Sequence, residues 1–238
     1  MNTKNSPCVA LYGASREAAG GSDSVGDKVP LNKPIIIGVT GGMASGKSTL
    51  ARMLSGCGIA HVDADALVHQ LLQHDRETIS AIGQAFPKAV SNGRVDRGAL
   101  AVHITKTPET LSVLEAILHP RVRALEEGAI AFARRNRLHA LVLDIPLLFE
   151  TDADALCDVV LVAHAPLHHR RRRAFSRAGM TEAKWNRLLD RQLPDHVRNR
   201  AADVVITTPI GSAATRTRLR ALVCEWGLAR AKMRSIRE

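Results

Sequence analysis

Aromatic residues are scarce: two Trp, one Tyr and four Phe make up 3% of the 238 residues, so the core falls to Leu, Val, Ile and Ala. Cysteine is sparse too. Cys8, Cys57, Cys157 and Cys224 are scattered, with no C-x-x-C and no Cys/His ligand spacing. That pattern favours free thiols in a reducing cytosol over a disulfide frame or a zinc site. No apolar run approaches the roughly 20 residues that cross a bilayer, so no membrane partner is expected. The length allows one good core in one or two domains.

Charge is abundant but local. The net charge is +10, of which residues 168–200 carry +7 (ten basic, three acidic) and residues 210–238 carry +5 (seven basic, two acidic). A general nucleic-acid coat would spread more widely. This distribution describes one basic element and one basic tail, and no nucleic-acid partner is expected. Residues 1–33 are rich in Ser, Gly, Ala and Asn, mix both charge signs and show no periodicity. They lack the apolar region of a secretory signal and the Arg-rich, acid-poor bias of a transit peptide, and read as a disordered extension of a cytoplasmic protein.

The organising stretch is Ile35 to Leu50. An apolar, β-branched run breaks into a Gly-rich turn, and a helical pattern follows. Gly41, Gly46, Lys47 and Ser48 satisfy G-x-x-x-x-G-K-[ST], the phosphate-binding P-loop. The bare pattern arises by chance on the order of once per hundred chains of this length, given Gly at about 7% of residues. The flanking strand and helix make chance rarer still. Residues Gly41, Gly42, Met43, Ala44, Ser45, Gly46, Lys47, Ser48 and Thr49 are therefore assigned to ATP. Loop amides and the helix's positive end face the phosphates, Lys47 reaches the β- and γ-phosphates, and the Ser48 hydroxyl is placed to ligand Mg²⁺.

Ile59–Val62, Ala140–Asp144, Val159–Val162 and Val204–Ile206 read as further short, apolar strands separated by helical sequence, which argues for an α/β chain with a parallel sheet covered on both faces. Residues 75–137 read as helical, with Ser91-Asn92-Gly93 as a turn, His119-Pro120 opening the last helix and no strand. Between the last two strands lie Arg-rich helical stretches at about 166–178 and 181–191, and a final helix covers about 212–228.

In an open parallel sheet, ligands bind outside the carboxyl ends of the strands. Asp144 ends an apolar strand after the P-loop, the position of a carboxylate that holds Mg²⁺, and Pro146 follows in a packed loop. Asp65 stands in a helix's first turn, where spacing leaves two roles open: proton acceptor for an attacking hydroxyl, or an acid stabilised by the helix dipole. Asp63 reads as the N-cap. Arg170, Arg173 and Arg177 form one helical stripe beside the P-loop, suited to a mobile lid over phosphate. For His119, spacing gives no reason to prefer function over structure.

Taken in order, these signatures resemble dephospho-CoA kinase, of the P-loop nucleotide-kinase group. The residues are Gly38–Gly42 with Ser45–Ser48, Val62–Asp65, Asn92–Arg97, Leu118-His119-Pro120, Pro146–Glu150, Arg173 with Arg177, Arg187 with Gln192, and Ala202-Asp203. The resemblance spans about Ile35 to Leu222. It implies transfer of the ATP γ-phosphoryl group, with Mg²⁺, to the ribose 3′-hydroxyl of dephospho-CoA, the last step of CoA synthesis. It implies a five-stranded parallel core (about 34–64, 138–165 and 201–228), a helical CoA-binding insertion (about 65–137) and a lid (about 166–200). Asp65 becomes the base, and Lys47, Arg173 and Arg177 join it as catalytic residues. Arg97, His119, Pro120, Pro146 and Leu147 become substrate contacts. The alternatives weighed are a nucleoside or nucleoside-monophosphate kinase and an ATP-dependent nucleic-acid binder. A monomer or weak homo-oligomer is expected. Two departures stand out: Met43-Ala44 replaces the family's usual Ile-Gly, which small Ala should tolerate, and Thr207-Thr208-Pro209 stands where Asn is usual.

Overall fold

The computed structural model describes residues 33–107, 109–208 and 212–228. The extension expected over residues 1–33 lies, except for Lys33, outside the described residues, as does Pro209. The chain divides into two compact units, residues 1–61 with 133–238, and residues 62–132.

The larger unit is built on strand β1 (Ile35–Gly41), every residue of which is buried. Its helix α1 (Lys47–Ser55) buries Leu50, Ala51 and Leu54. Strands β2 (Ala60–Asp63), β5 (Ala140–Asp144), β6 (Val159–His164) and β7 (Val204–Thr207) complete a five-stranded sheet of order β2-β5-β1-β6-β7. The sheet places β1 centrally, in parallel register with β5 and β6, and β6 pairs parallel with β7. Burial on both faces is why β1, β5 and β6 read as unbroken apolar runs rather than alternating ones, while β2 and β7 at the sheet edges are only partly buried. Ile37, Val39, Val142, Leu161 and Ile206 fill the core with Leu50 and Leu54 from α1 and Leu219 and Val223 from the last helix, Ser212–Glu225.

Two carboxylates close the sheet where strands begin. Asp158 Oδ2 accepts from Ile36 N at 2.8 Å, and Asp203 Oδ2 accepts from Val160 N at 2.8 Å. A buried amide without a partner costs about 1–3 kcal/mol, so these acids have a structural role in the parallel ladder. The Ala202-Asp203 signature is therefore a strand bracket. The register carries Gly41, Asp144, His164 and Thr207 to the carboxyl ends of their strands.

The smaller unit holds helices α2 (Ala64–His74), α3 (Arg76–Ala85) and α4 (Arg97–Lys106), and most of α5 (Thr110–Arg135). Asp63, Asp75 and Asp96 cap α2, α3 and α4 through their side chains. Leu72, Ile82, Phe86, Val95, Leu100, Leu114 and Leu118 form its core.

Two expectations are corrected here. The unit contains a hairpin, β3 (Val90–Ser91) and β4 (Arg94–Val95), where no strand was expected. Asn92 and Gly93 turn it with φ of 50° and 69°, the pairing a tight two-residue turn demands. Two residues per strand are too few to show alternation. His119-Pro120 also opens no helix: α5 runs through Pro120. Leu114 and Leu118, on one buried face four residues apart, hold the helix in register up to the proline that lacks an N–H donor.

Three further helices follow β6: α6 (Leu167–Phe175), α7 (Glu182–Asp190) and α8 (Asp195–Ala201). Phe175 and Trp185 pack with ring centroids 6.0 Å apart, and Arg171 covers Phe175 at 4.7 Å while pairing with Glu182. These contacts tie α6 to α7. Among the described residues, no helix is long and apolar enough to cross a membrane.

Candidate active site

The loop from Gly41 to Lys47 is shaped by close approach. A Cβ on Gly41 would meet Ala163 O and Ser45 Oγ at 2.5 Å. Gly46 caps α1 in the left-handed region, with φ 103°. Its carbonyl starts the helix by accepting from Thr49 N and Leu50 N, both at 3.0 Å. Ser45 N donates to Gly42 O at 2.9 Å, folding the loop back over itself. Ala44 sits at φ 60°, a backbone state a residue with a Cβ adopts at a cost of about 1–2 kcal/mol. The constraint seen at this position is backbone conformation, which favours Gly.

Lys47 reaches across to β5. Its Nζ lies 2.7 Å from Asp144 Oδ1, and the Asp144 side chain is fully buried. His61 Nε2 approaches the other carboxylate oxygen at 3.9 Å. Ser48 and Thr49 are exposed at the head of α1, Ser48 as its second residue. Pro146 O accepts from Thr40 Oγ1 at 3.1 Å, which holds the Pro146–Glu150 turn against β1, with Leu147 half-buried.

The Arg stripe of α6 is graded by depth. Arg170 is buried, Arg173 is half-buried, and Arg177 is exposed just beyond the helix. Arg173 Nη1 stands 3.4 Å from Ala44 O, 3.3 Å from Ser45 O and 3.3 Å from Thr208 Oγ1. Thr208 Oγ1 in turn donates to Ser45 O. The residue standing where Asn is usual therefore braces the P-loop backbone. A pocket of about 560 Å³ opens beside the loop, lined by Gly46, Thr49, Arg173, Arg177, Thr208 and Thr215 among others.

Sequence reasoning gave no individual site role to Gln192, Asp195 or Arg198, and placed Arg170 with Arg173 and Arg177 in the lid stripe. Met43 N donates to Gln192 Oε1 at 2.9 Å, so the α7–α8 turn holds the tip of the loop. Glu150 Oε1 accepts from Leu193 N at 2.8 Å and fixes that turn. Gln192 belongs to a quoted signature, and that was its only signal.

In the smaller unit, Asp63 Oδ1 accepts from Asp65 N at 2.9 Å and Ala66 N at 3.4 Å. Asp63 thus performs the capping, and the exposed Asp65 carboxylate takes no part in it. Arg97 opens α4 behind its Asp96 cap, with Nη1 3.4 Å from His69 Nδ1. His119 and Pro120 lie exposed on α5.

A strand that feeds a helix through a glycine turn, with a cation at its head and a buried acid holding that cation, is built to seat a polyphosphate. On this sheet it defines a kinase of the P-loop class. The family follows from comparison: residues 35–213 match the family model for dephospho-CoA kinase, and the chain belongs to that family. Dephospho-CoA kinase from Gluconobacter oxydans is 43% identical over 192 residues, 79% of this chain and 96% of that one. The Rhodopseudomonas palustris dephospho-CoA kinase is 38% identical over 188 residues, covering 79% and 94%. Among solved structures, dephospho-CoA kinase from Campylobacter jejuni superposes with a TM-score of 0.61 at 25% identity, covering 80% of this chain and 96% of that one. A crystal structure from Thermus thermophilus reaches 0.68 at 36% identity, covering 81% and 98%.

Proposed function

We propose that the protein transfers the γ-phosphoryl group of ATP to the ribose 3′-hydroxyl of dephospho-CoA, giving CoA and ADP. The observation that carries this reading is Lys47, held by Asp144 at the head of α1, in a chain that matches the dephospho-CoA kinase family over residues 35–213. The Gly41–Thr49 loop holds the phosphates, and the pocket beside Gly46 takes the adenosine. Arg173 and Arg177 line that pocket and stabilise charge on the transferring group as members of a lid over residues 166–200. Asp65 takes the proton as the 3′-oxygen forms its bond to phosphorus and the bond to the ADP oxygen breaks. Arg97, His119, Pro120, Pro146 and Leu147 hold dephospho-CoA, with residues 65–137 as the insertion that receives it.

Mg²⁺ fits this site. Among the described residues no group of three or more His, Cys, Asp or Glu side chains could hold a metal ion. Ser48 presents an exposed hydroxyl at the head of α1 and Asp144 ends β5 with a carboxylate, the one or two protein oxygens used by a cation that fills its shell from water and phosphate. Ser48 and Asp144 are the residues that would hold it, and it supplies charge neutralisation on the phosphate oxygens. The enzyme works in the cytoplasm as a monomer or weak homo-oligomer.

The test is ADP release from Mg-ATP by the purified protein, with and without dephospho-CoA. The expected result is dephospho-CoA-dependent turnover with CoA identified by mass. Activity on AMP, GMP or uridine with none on dephospho-CoA overturns the reading in favour of a nucleoside or nucleotide kinase.

A further inference from the structure

Arg170 and Arg198 are each only 3% exposed, and both aim at one carboxylate. Arg170 Nη1 lies 2.7 Å from Asp195 Oδ1, and Arg198 Nη2 is bonded to the same oxygen. Two buried cations thus share a single anion that is itself one-third exposed (32%). Taking a charge out of water is costly, and Asp195 is the carboxylate that both arginines pair with, while Glu150 acts on Arg198 without an ion pair among the described residues. Arg198 is accordingly held below the ordinary arginine range, by burial first and by Arg170 beside it, with Asp195 and Glu150 opposing.

Donors remain over as well. Arg198 Nη1 donates to Leu193 O at 3.0 Å. The Nε–H groups of both arginines are buried and, among the described residues, bond to nothing. Native proteins seldom leave such donors without a partner. Their position is specific: a Cβ on Gly42 would overlap the Arg170 guanidinium and stand 2.8 Å from Arg198 Nη2. The pair therefore lies directly on the P-loop, and Gly42 has no side chain because the guanidinium occupies that volume. Arg173 differs, since its Nη1 is directed at the carbonyls of Ala44 and Ser45.

We propose that Arg170 and Arg198 form a second anion site on the P-loop at Gly42, which takes oxygens of the bound polyphosphate, with Asp195 as the resident counter-ion that competes with them. The proposal rests on the reading that this loop binds a nucleotide polyphosphate. A phosphate oxygen suits the site because guanidinium forks match phosphate geometry and because it accepts from donors that otherwise lack partners.

The alternative is a strut that merely props the loop, and the two separate experimentally. Inorganic tripolyphosphate is titrated calorimetrically into the full chain, the Arg170→Gln variant and the Asp195→Asn variant, and each ligand-free melting temperature is recorded. An anion site predicts that R170Q weakens tripolyphosphate binding at least tenfold. It also predicts that D195N melts lower yet binds tripolyphosphate as tightly or more tightly, because the competing carboxylate is gone. Affinity within twofold of wild type in R170Q, or affinity falling with stability in D195N, overturns the proposal. Should R170Q fail to fold, D195N decides alone. A wild-type protein that binds no tripolyphosphate overturns the nucleotide reading itself, a distinct result.

Discussion

Lys47 Nζ and Asp144 Oδ1 stand 2.7 Å apart, with the lysine 13% exposed and the aspartate wholly enclosed. Neither charge can be deleted without stranding the other, and breaking a buried pair from one side costs about 3–5 kcal/mol. Lys47→Ala is therefore expected to lower both activity and stability. Turnover should fall by at least 10² through lost phosphate charge stabilisation. Urea unfolding should show a loss of about 3 kcal/mol that Asp144→Asn, added to Lys47→Ala, partly restores. Restored stability without restored turnover is the expected signature. A single variant retaining more than a tenth of wild-type turnover would place the chemistry elsewhere.

Asp63 and Asp65, two residues apart, should respond oppositely to mutation. Asp63 caps α2 with bonds to Asp65 N and Ala66 N, so Asp63→Ala should cost about 1 kcal/mol. Asp65→Asn leaves the cap intact. Its expected effect is a large fall in kcat with ATP affinity unchanged and unfolding within about 0.5 kcal/mol of wild type. A stability loss in Asp65→Asn with normal kcat would make it a structural acid.

Ala44→Gly removes a Cβ from a left-handed residue with φ 60°. Relief of the backbone cost outweighs the extra freedom Gly has when unfolded, and stability should rise by about 0.5–1 kcal/mol. Equilibrium urea denaturation checks this, and a loss of stability would refute it.

Glu126, 4% exposed on α5, has its carboxyl pushed up by burial, opposed by Arg123 and assisted by Glu127. The folded state therefore holds this proton more tightly than the unfolded chain. Its contribution is fully present below the ordinary carboxylate range and is lost as pH rises through the raised folded value. Glu126→Gln should stabilise the protein at pH 7 and flatten the decline in unfolding free energy between pH 4.5 and 7. Parallel pH profiles for the two proteins would assign the decline to other groups.

What could be read in the sequence was what is local or continuous. Ala140–Asp144 and Val159–Val162 were legible as strands because burial on both faces leaves an uninterrupted apolar run. The P-loop was legible because loop, lysine and hydroxyl lie within nine residues, Gly41–Thr49. The Asn92-Gly93 turn could be read but its two-residue strands could not, and Pro120 looked like a boundary because nothing local reveals the Leu114–Leu118 face that steadies α5. The site's supporting residues were beyond reach for a different reason. Asp195 meets Arg170 across 25 positions and Gln192 meets Met43 across 149. No periodicity carries information over such separations, and an arginine stripe looks alike whether it faces water or, as Arg170 does, the interior.

The hairpin at Asn92-Gly93 also gives the protein a clock. Asn92 is exposed, Gly93 has open space where a side chain would stand, and the turn is closed by only two residues on each side. The Gly93 backbone nitrogen, unshielded by a side chain, can attack the Asn92 carboxamide carbon and expel ammonia, closing a succinimide ring that water then opens to aspartate or isoaspartate. Stored protein should gain about one dalton at this position first. Peptide mapping of aged samples would then date a preparation by its Asn92 peptide.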